Sequence, residues 1–367
     1  MNDDASLLKA QPERAQNNGM WAVLAAALLL LLVLSVFLGR YPQTGFLGLN
    51  QLRDNLLAQR LVIHVRLPRL LTALLLGMVL AASGTVFQMI FANPLVEPGF
   101  LGVSQGAAFG AALAIVFFSA SAAAVQGMAA LFAFAGLGFS YLLARRIRVG
   151  SWLLRLVLAG IVVSALFSAG LGIVKYLADP LRQLPEITFW MLGSLASITW
   201  SKFLAVLPAC LLGLGVIFSF RWRLNLLALD ETTAFSLGAA PRRERLIMMI
   251  AAVLATSAMI SVAGMVGWIG LITPHIARRL VGSDTRWNLP VAILLGSGFA
   301  LICDDLARVL TAGEIPLGIL TSLLGAATFM ILMVRGSVEG ARGGAAPWSV
   351  LSRLRLGTPA PGRFLPV

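Results

Sequence analysis

The sequence predicts an all-α, polytopic membrane protein of about ten transmembrane helices with an inverted repeat, and three observations lead there. The 367 residues are 59% hydrophobic and 12% charged, with a mean hydropathy of +0.90. The apolar residues gather into runs near the roughly 20 residues that cross a bilayer as a helix. The basic residues, which bring the formal charge to +13, fall mostly between those runs and favour alternate loops.

Taken in order, a cytoplasmic tail over 1–19 precedes a first apolar run, Trp21–Leu38. That run is too long for a signal-peptide core, follows a tail of nearly balanced charge and lacks a small-residue cleavage pattern, so it reads as a retained helix. Further spans are expected near Leu67–Phe91, Phe100–Ser119, Ala122–Ala144, Leu153–Leu177, Phe203–Phe220, Leu246–Gly267, Ile269–Leu280, Leu289–Leu310 and Ile315–Val334. The run Ile269–Leu280 is short and carries Pro274, so hydropathy leaves open a full crossing or a re-entrant segment. One transmembrane domain thus covers 20–335, with a cytoplasmic loop over 221–245 and an Arg-rich cytoplasmic tail over 336–367.

With an inner N-terminus, basic residues inside outnumber those outside roughly two to one, which supports this orientation. Arg40, Arg53, Arg60, Arg66, Arg69, Lys175, Arg182, Lys202 and Arg308 remain on the outer side. Trp152, Trp222 and Trp287 near inner ends and Trp200 near an outer one fit interfacial belts. The positive charge is explained by topology, and no basic stripe with interleaved aromatics points to nucleic acid.

Gly102, Gly106 and Gly110, continued by Ala114, form a smooth row on the third span that lets another helix approach closely. Leu80–Gly84 stands ten residues before Pro94, and a similar Ile260–Gly264 stands ten before Pro274. Five helices separate the two copies, which would give them opposite orientations, as in inverted-repeat transporters.

Several chemistries find no footing. A phosphate-binding loop needs a lysine after glycine, whereas the three lysines, Lys9, Lys175 and Lys202, follow other residues. His64 and His275 sit in no nucleophile motif, and His275, after Pro274, reads as a capping or packing residue at a helix start. Cys210 and Cys303 lie in apolar runs and suggest packing. No catalytic residue, metal site or cofactor is expected, and the pathway-lining residues are not legible.

Carboxylates in mid-membrane would mark ion coupling. Glu97, Asp179, Glu186 and Glu314 fall in loops or at span ends; Asp304 and Asp305 lie in the last turns of the ninth span, where Asp304 and Arg308 are spaced to pair. In the loop over 221–245, Asp230 reads as an N-cap, Ala234, Phe235 and Leu237 as an apolar face, Gly238 as a stop and Pro241 as the opening of the next segment. So short a helix needs support. Its own membrane surface, lipid headgroups or a cytoplasmic partner could each supply it.

At this point the chain resembles the permease subunits of type II ABC importers for ferric siderophores, haem and cobalamin. The likeness rests on Arg66-Leu-Pro-Arg69, Gly77, Ala81 through Gly84, Gln88, Asn93-Pro94-Leu95, Glu97-Pro98-Gly99 and Leu101-Gly-Val-Ser104. It continues through Leu227–Gly238, Gly264–Arg278, Gly282, Asp284, Asp305, Arg308 and Glu314-Ile-Pro-Leu-Gly318, and so covers roughly Arg66–Arg335.

The resemblance implies a homodimer of ten-helix subunits in the bacterial inner membrane, with two ATP-binding subunits inside and a substrate-binding protein outside. It implies that Asp230, Glu231, Phe235, Leu237 and Gly238 form a coupling helix, and that Arg66, Arg69 and Arg308 receive acidic residues of the binding protein. It makes the eighth span a short helix and the segment after Leu177 part of an outer gate. The expected cargo is an iron complex, a ferric siderophore or haem; cobalamin, molybdate or an ion-coupled secondary transporter are the alternatives.

Overall fold

The computed structural model describes residues 12–40, 45–118, 121–148, 150–311 and 313–343, without side chains at 12–18, 49, 51 and 335–343. Most of the expected N-terminal tail, 1–11, and of the Arg-rich tail, 344–367, lies outside them. Fifteen α-helices are present among the described residues. The first half holds α1 (Pro12–Phe37), α2 (Leu49–Asp54), α3 (Leu56–Leu61), α4 (Leu67–Ile90), α5 (Val103–Phe117), α6 (Ala122–Arg146), α7 (Trp152–Leu177) and α8 (Gln183–Leu192). The second holds α9 (Trp200–Ser219), α10 (Leu224–Leu227), α11 (Glu231–Ser236), α12 (Pro241–Ala263), α13 (Ile269–Val281), α14 (Thr285–Leu310) and α15 (Leu317–Gly343). A two-residue antiparallel ladder, β1 (Leu38–Gly39) with β2 (Gly45–Phe46), follows α1.

Among the described residues, eight helices are long and apolar enough to cross a membrane; α5 is shorter, and α13 has only 13 residues. These two complete the expected ten. The order long, long, short, long, long recurs as α1, α4, α5, α6, α7 and as α9, α12, α13, α14, α15, which is the expected repeat at the level of elements. The short sequence matches do not carry it residue by residue: Gly84 lies inside α4, whereas Gly264 ends α12 with φ +70°. Pro274 likewise lies inside α13, and His275 is mid-helix rather than at a helix start.

Burial separates the spans. In the stretch Leu56–Ile90, 89% of the apolar window is buried, against 6% in α1. Apolar side chains facing outward from α1, α6, α7 and α9 suit lipid, while α4, α12 and α14 fill the middle. Backbone contact through small residues makes this possible. A Cβ on Gly77 would stand 2.2 Å from the Gly296 oxygen, and one on Gly84 2.0 Å from that of Gly270, so α4 meets α14 and α13 without side chains between them. The predicted glycine row behaves alike: Cβ atoms on Gly106 and Gly110 would meet the Phe132 and Met128 oxygens of α6 at 2.2 and 2.3 Å.

By its contacts the chain forms two units, Met1–Leu323 and Leu324–Val367. In the second, helix continues to Gly343, past the domain boundary expected at Arg335.

Candidate functional site

Antiparallel α4 and α14 carry a group of functional side chains at each end. At the end that the charge bias of the loops would place outside, called outer below, α3 runs into α4 through a π-helical turn, Val62–Arg66, in place of an ordinary helix start. Such turns shift the register of the side chains that follow. Arg66 is buried and donates from Nη1 to the Val36 oxygen at 2.7 Å. One turn on, Arg69 donates from Nε to Asp304 Oδ1 at 2.8 Å and from Nη1 to Glu314 Oε2 at 2.9 Å.

Arg308 forms the predicted pair with Asp304, Nε to Oδ2 at 3.2 Å, and also bonds Asp305. It donates to the Leu38 and Ser35 oxygens at 3.1 and 3.3 Å, capping carbonyls that the end of α1 leaves open. Ser35 Oγ donates to Asp305 Oδ2 at 2.5 Å. Two arginines, Arg69 and Arg308, thus face three carboxylates, Asp304, Asp305 and Glu314, while Arg66 is bonded to a backbone oxygen. Charges taken out of water demand such partners.

Arg66, Arg69 and Arg308 are 5%, 5% and 6% exposed, and each is bound to the chain itself, so they do not stand free on the outer surface. Glu314 is the accessible member, its side chain 35% exposed, held at φ +51° in the loop before α15.

At the opposite end, called inner below, α9 passes through a 3-10 turn, Arg221–Arg223, into α10 and then α11. Asp230 caps α11 as its position predicts: Oδ1 accepts from Thr232 Oγ1 at 2.5 Å and from the Thr233 amide at 3.0 Å. These bonds, that from Thr232 foremost, hold its carboxyl well below the usual range. Gly238 stops the helix at φ +81°, and the Ala239 amide returns to the Ala234 oxygen at 3.0 Å. The apolar residues do not share one face. Ala234 is fully buried, while Phe235 and Leu237 are 72% and 57% exposed, because one helical step of about 100° turns Phe235 away from Ala234.

Neighbouring residues contact this element and the short helix before it. Glu231 accepts from Arg242 at 2.6 Å. Asn225 donates to Asp284, the N-cap of α14, at 2.7 Å and accepts from the Thr285 amide at 3.0 Å. Asp284 before Thr285 was a visible cap signal; its link to Asn225, 59 residues away, was not. Among the described residues no group of three or more His, Cys, Asp or Glu is placed to hold a metal ion.

Residues 27–335 match the FecCD transport family. The chain is 40% identical to the molybdate import system permease protein MolB of Haemophilus influenzae over 85% of this chain and 94% of that protein. It is 41% identical to the hemin transport system permease protein HmuU of Yersinia pestis, over 74% and 83%. A solved metal-chelate type ABC transporter in an inward-facing conformation superposes with a TM-score of 0.80 at 38% identity, covering 87% of this chain and 99% of that one. With its apolar helices, this makes the chain a multi-pass protein of the bacterial inner membrane, working in a complex with other subunits. The chain belongs to the FecCD transport family and is a permease subunit of an ABC importer.

Proposed function

We propose that the chain forms, as a homodimer, the pathway for ATP-driven uptake of an iron chelate, and leaves ATP hydrolysis to two separate cytoplasmic subunits. The observation that carries the coupling role is α11, a six-residue helix capped at both ends that turns Phe235 and Leu237 outward. A helix this short gains nothing from exposing two large apolar side chains unless something covers them. In the assembled importer an ATP-binding subunit covers them, with Asp230, Glu231 and Gly238 holding the helix in shape. Phe235→Asp combined with Leu237→Asp should then abolish co-purification of the ATP-binding subunits, a loss of about a hundred-fold in affinity, while membrane insertion persists. Retained co-purification would remove α11 from the interface.

Outside, a substrate-binding protein docks over the end of α4 and α14. Because Arg69 is already bonded to Glu314, an incoming carboxylate must compete with Glu314 for it.

The cargo reading favours iron because relatives named for hemin and for iron chelatin cover much of the chain. Molybdate is the second reading, since the similarity to MolB extends over more of both chains at nearly the same identity. That relatives of nearly equal identity are named for different cargo supports a reading in which the binding protein chooses it. Uptake into proteoliposomes with the binding protein preloaded with hemin, a ferric hydroxamate or molybdate decides between them; uptake of molybdate alone would overturn the iron assignment.

A further inference from the structure

Arg245, in the second turn of α12, is 4% exposed and has no carboxylate within ion-pair distance among the described residues. Its guanidinium is spent on backbone. Nε and Nη2 donate to the Leu227 oxygen at 3.2 and 2.7 Å, and Nη2 donates also to the Leu229 oxygen at 2.9 Å. Leu227 ends the four-residue helix α10, whose last carbonyls have no partner within the helix, and Leu229 immediately precedes the Asp230 cap of α11. A cation at that end also meets the negative pole of the helix.

The neighbouring residues grip the far side of α11. Glu244 accepts from the Ala240 amide at 3.0 Å and bonds Arg223, and Arg242 holds Glu231. The start of α12 therefore fastens α10–α11 before and after the exposed Phe235 and Leu237. The outer Arg242–Glu231 pair is largely exposed and adds little. The buried Arg245 bonds are the firm joint.

Beyond that joint α12 runs as a buried rod. In its middle it meets α4, where Thr256 Oγ1 donates to Ser83 Oγ at 3.0 Å and Ser83 Oγ donates to the Ala252 oxygen at 3.2 Å. At its outer end the Ala263 oxygen accepts from the Ser194 amide at 2.8 Å, and the adjoining Gly193 oxygen accepts from the Leu317 amide at 2.8 Å. Contact is close there: a Cβ on Gly264 would lie 2.2 Å from the Trp190 oxygen of α8. One stiff element thus joins α11 to the segment after α8 and to the start of α15.

We propose that Arg245 is the positioning residue that transmits displacement of α11 along α12 to the outer segment Gly193–Ser194. This rests on the reading of α11 as the seat of an ATP-binding subunit.

The test uses the complete complex, with ATP-binding subunits and binding protein, in proteoliposomes, and a fluorophore on Ala196→Cys as reporter at the exposed outer segment. Arg245→Met should keep the ATP-binding subunits attached and hydrolysis within about two-fold, while uptake per ATP and the reporter's response to nucleotide each fall about ten-fold. Arg245→Lys, which can still donate to one carbonyl, should recover part of both. Unchanged uptake per ATP in the methionine variant, or an unchanged reporter response, overturns the proposal. Loss of assembly in both variants also overturns it, by reducing Arg245 to a structural pin. Failure of the underlying reading looks different: the unsubstituted complex would then neither hold ATP-binding subunits nor take up substrate.

Discussion

The two ends of α4 and α14 solve opposite problems. At the outer end, charge is buried and satisfied within the chain: Arg69, Arg308, Asp304 and Asp305 bond one another with the end of α1. At the inner end, α11 is held by caps and by Arg245, and its most apolar side chains stay uncovered. The difference teaches which end is self-sufficient. A charge network complete in one chain can hold three helices together without a partner, whereas two exposed apolar side chains on a six-residue helix call for one.

The largest expected effect tests that self-sufficiency. Asp304→Ala leaves Arg69 with Glu314 alone and Arg308 with Asp305 alone, removing the carboxylate between the two buried arginines, and removing one partner of a buried pair costs about 3–5 kcal/mol. Most of the protein should fail to elute as a monodisperse species after detergent extraction. An Asp304→Ala protein as stable as the unsubstituted chain would mean that water reaches the network and that its arginines are available outside after all.

A second test sets Glu97, just past the inner end of α4, against Asp304. Among the described residues no cation pairs with Glu97, and burial pushes its carboxyl up to about 7. Because the fold favours the protonated form, its contribution to stability is complete in acid and is lost as the pH rises through about 7. Glu97→Gln should therefore match the unsubstituted protein at low pH and surpass it above neutrality, as read from thermal unfolding across that range. Parallel curves for the two proteins would show that Glu97 is solvated like a surface acid.

The smallest effect sharpens the inner end. Gly238 stands at φ +81° with open space where a Cβ would be, so Gly238→Val meets backbone strain alone, about 1–2 kcal/mol. Since global folding depends on the buried spans, that strain should appear as weaker attachment of the ATP-binding subunits with little change in thermal unfolding. An equal loss in both would show that α11 folds with the core.

Much of this was legible in the residues. Hydrophobic runs mark the spans because each must satisfy its backbone within itself in lipid, and caps at Asp230 and Gly238 are local choices of a single residue. The Asp304–Arg308 pair is also local, one turn apart. Burial was not legible in the same way: Arg66, Arg69 and Arg308 look like free outer cations in the sequence because their partners lie elsewhere in it. Likewise Ala234, Phe235 and Leu237 read as one face, although only tertiary contact decides which of them points inward.

What the sequence by itself determined was the number of the helices, the family and the positions of helix starts and stops, the helices and their ends because they follow from interactions within a few residues or with the bilayer. The tertiary structure alone decided where the charges go. Arg69 and Asp304 are 235 residues apart, and Arg245 reaches backbone carbonyls, which carry no side-chain signature. Such pairings depend on which helices the glycine contacts bring together, because a buried charge takes whatever partner packing places within reach.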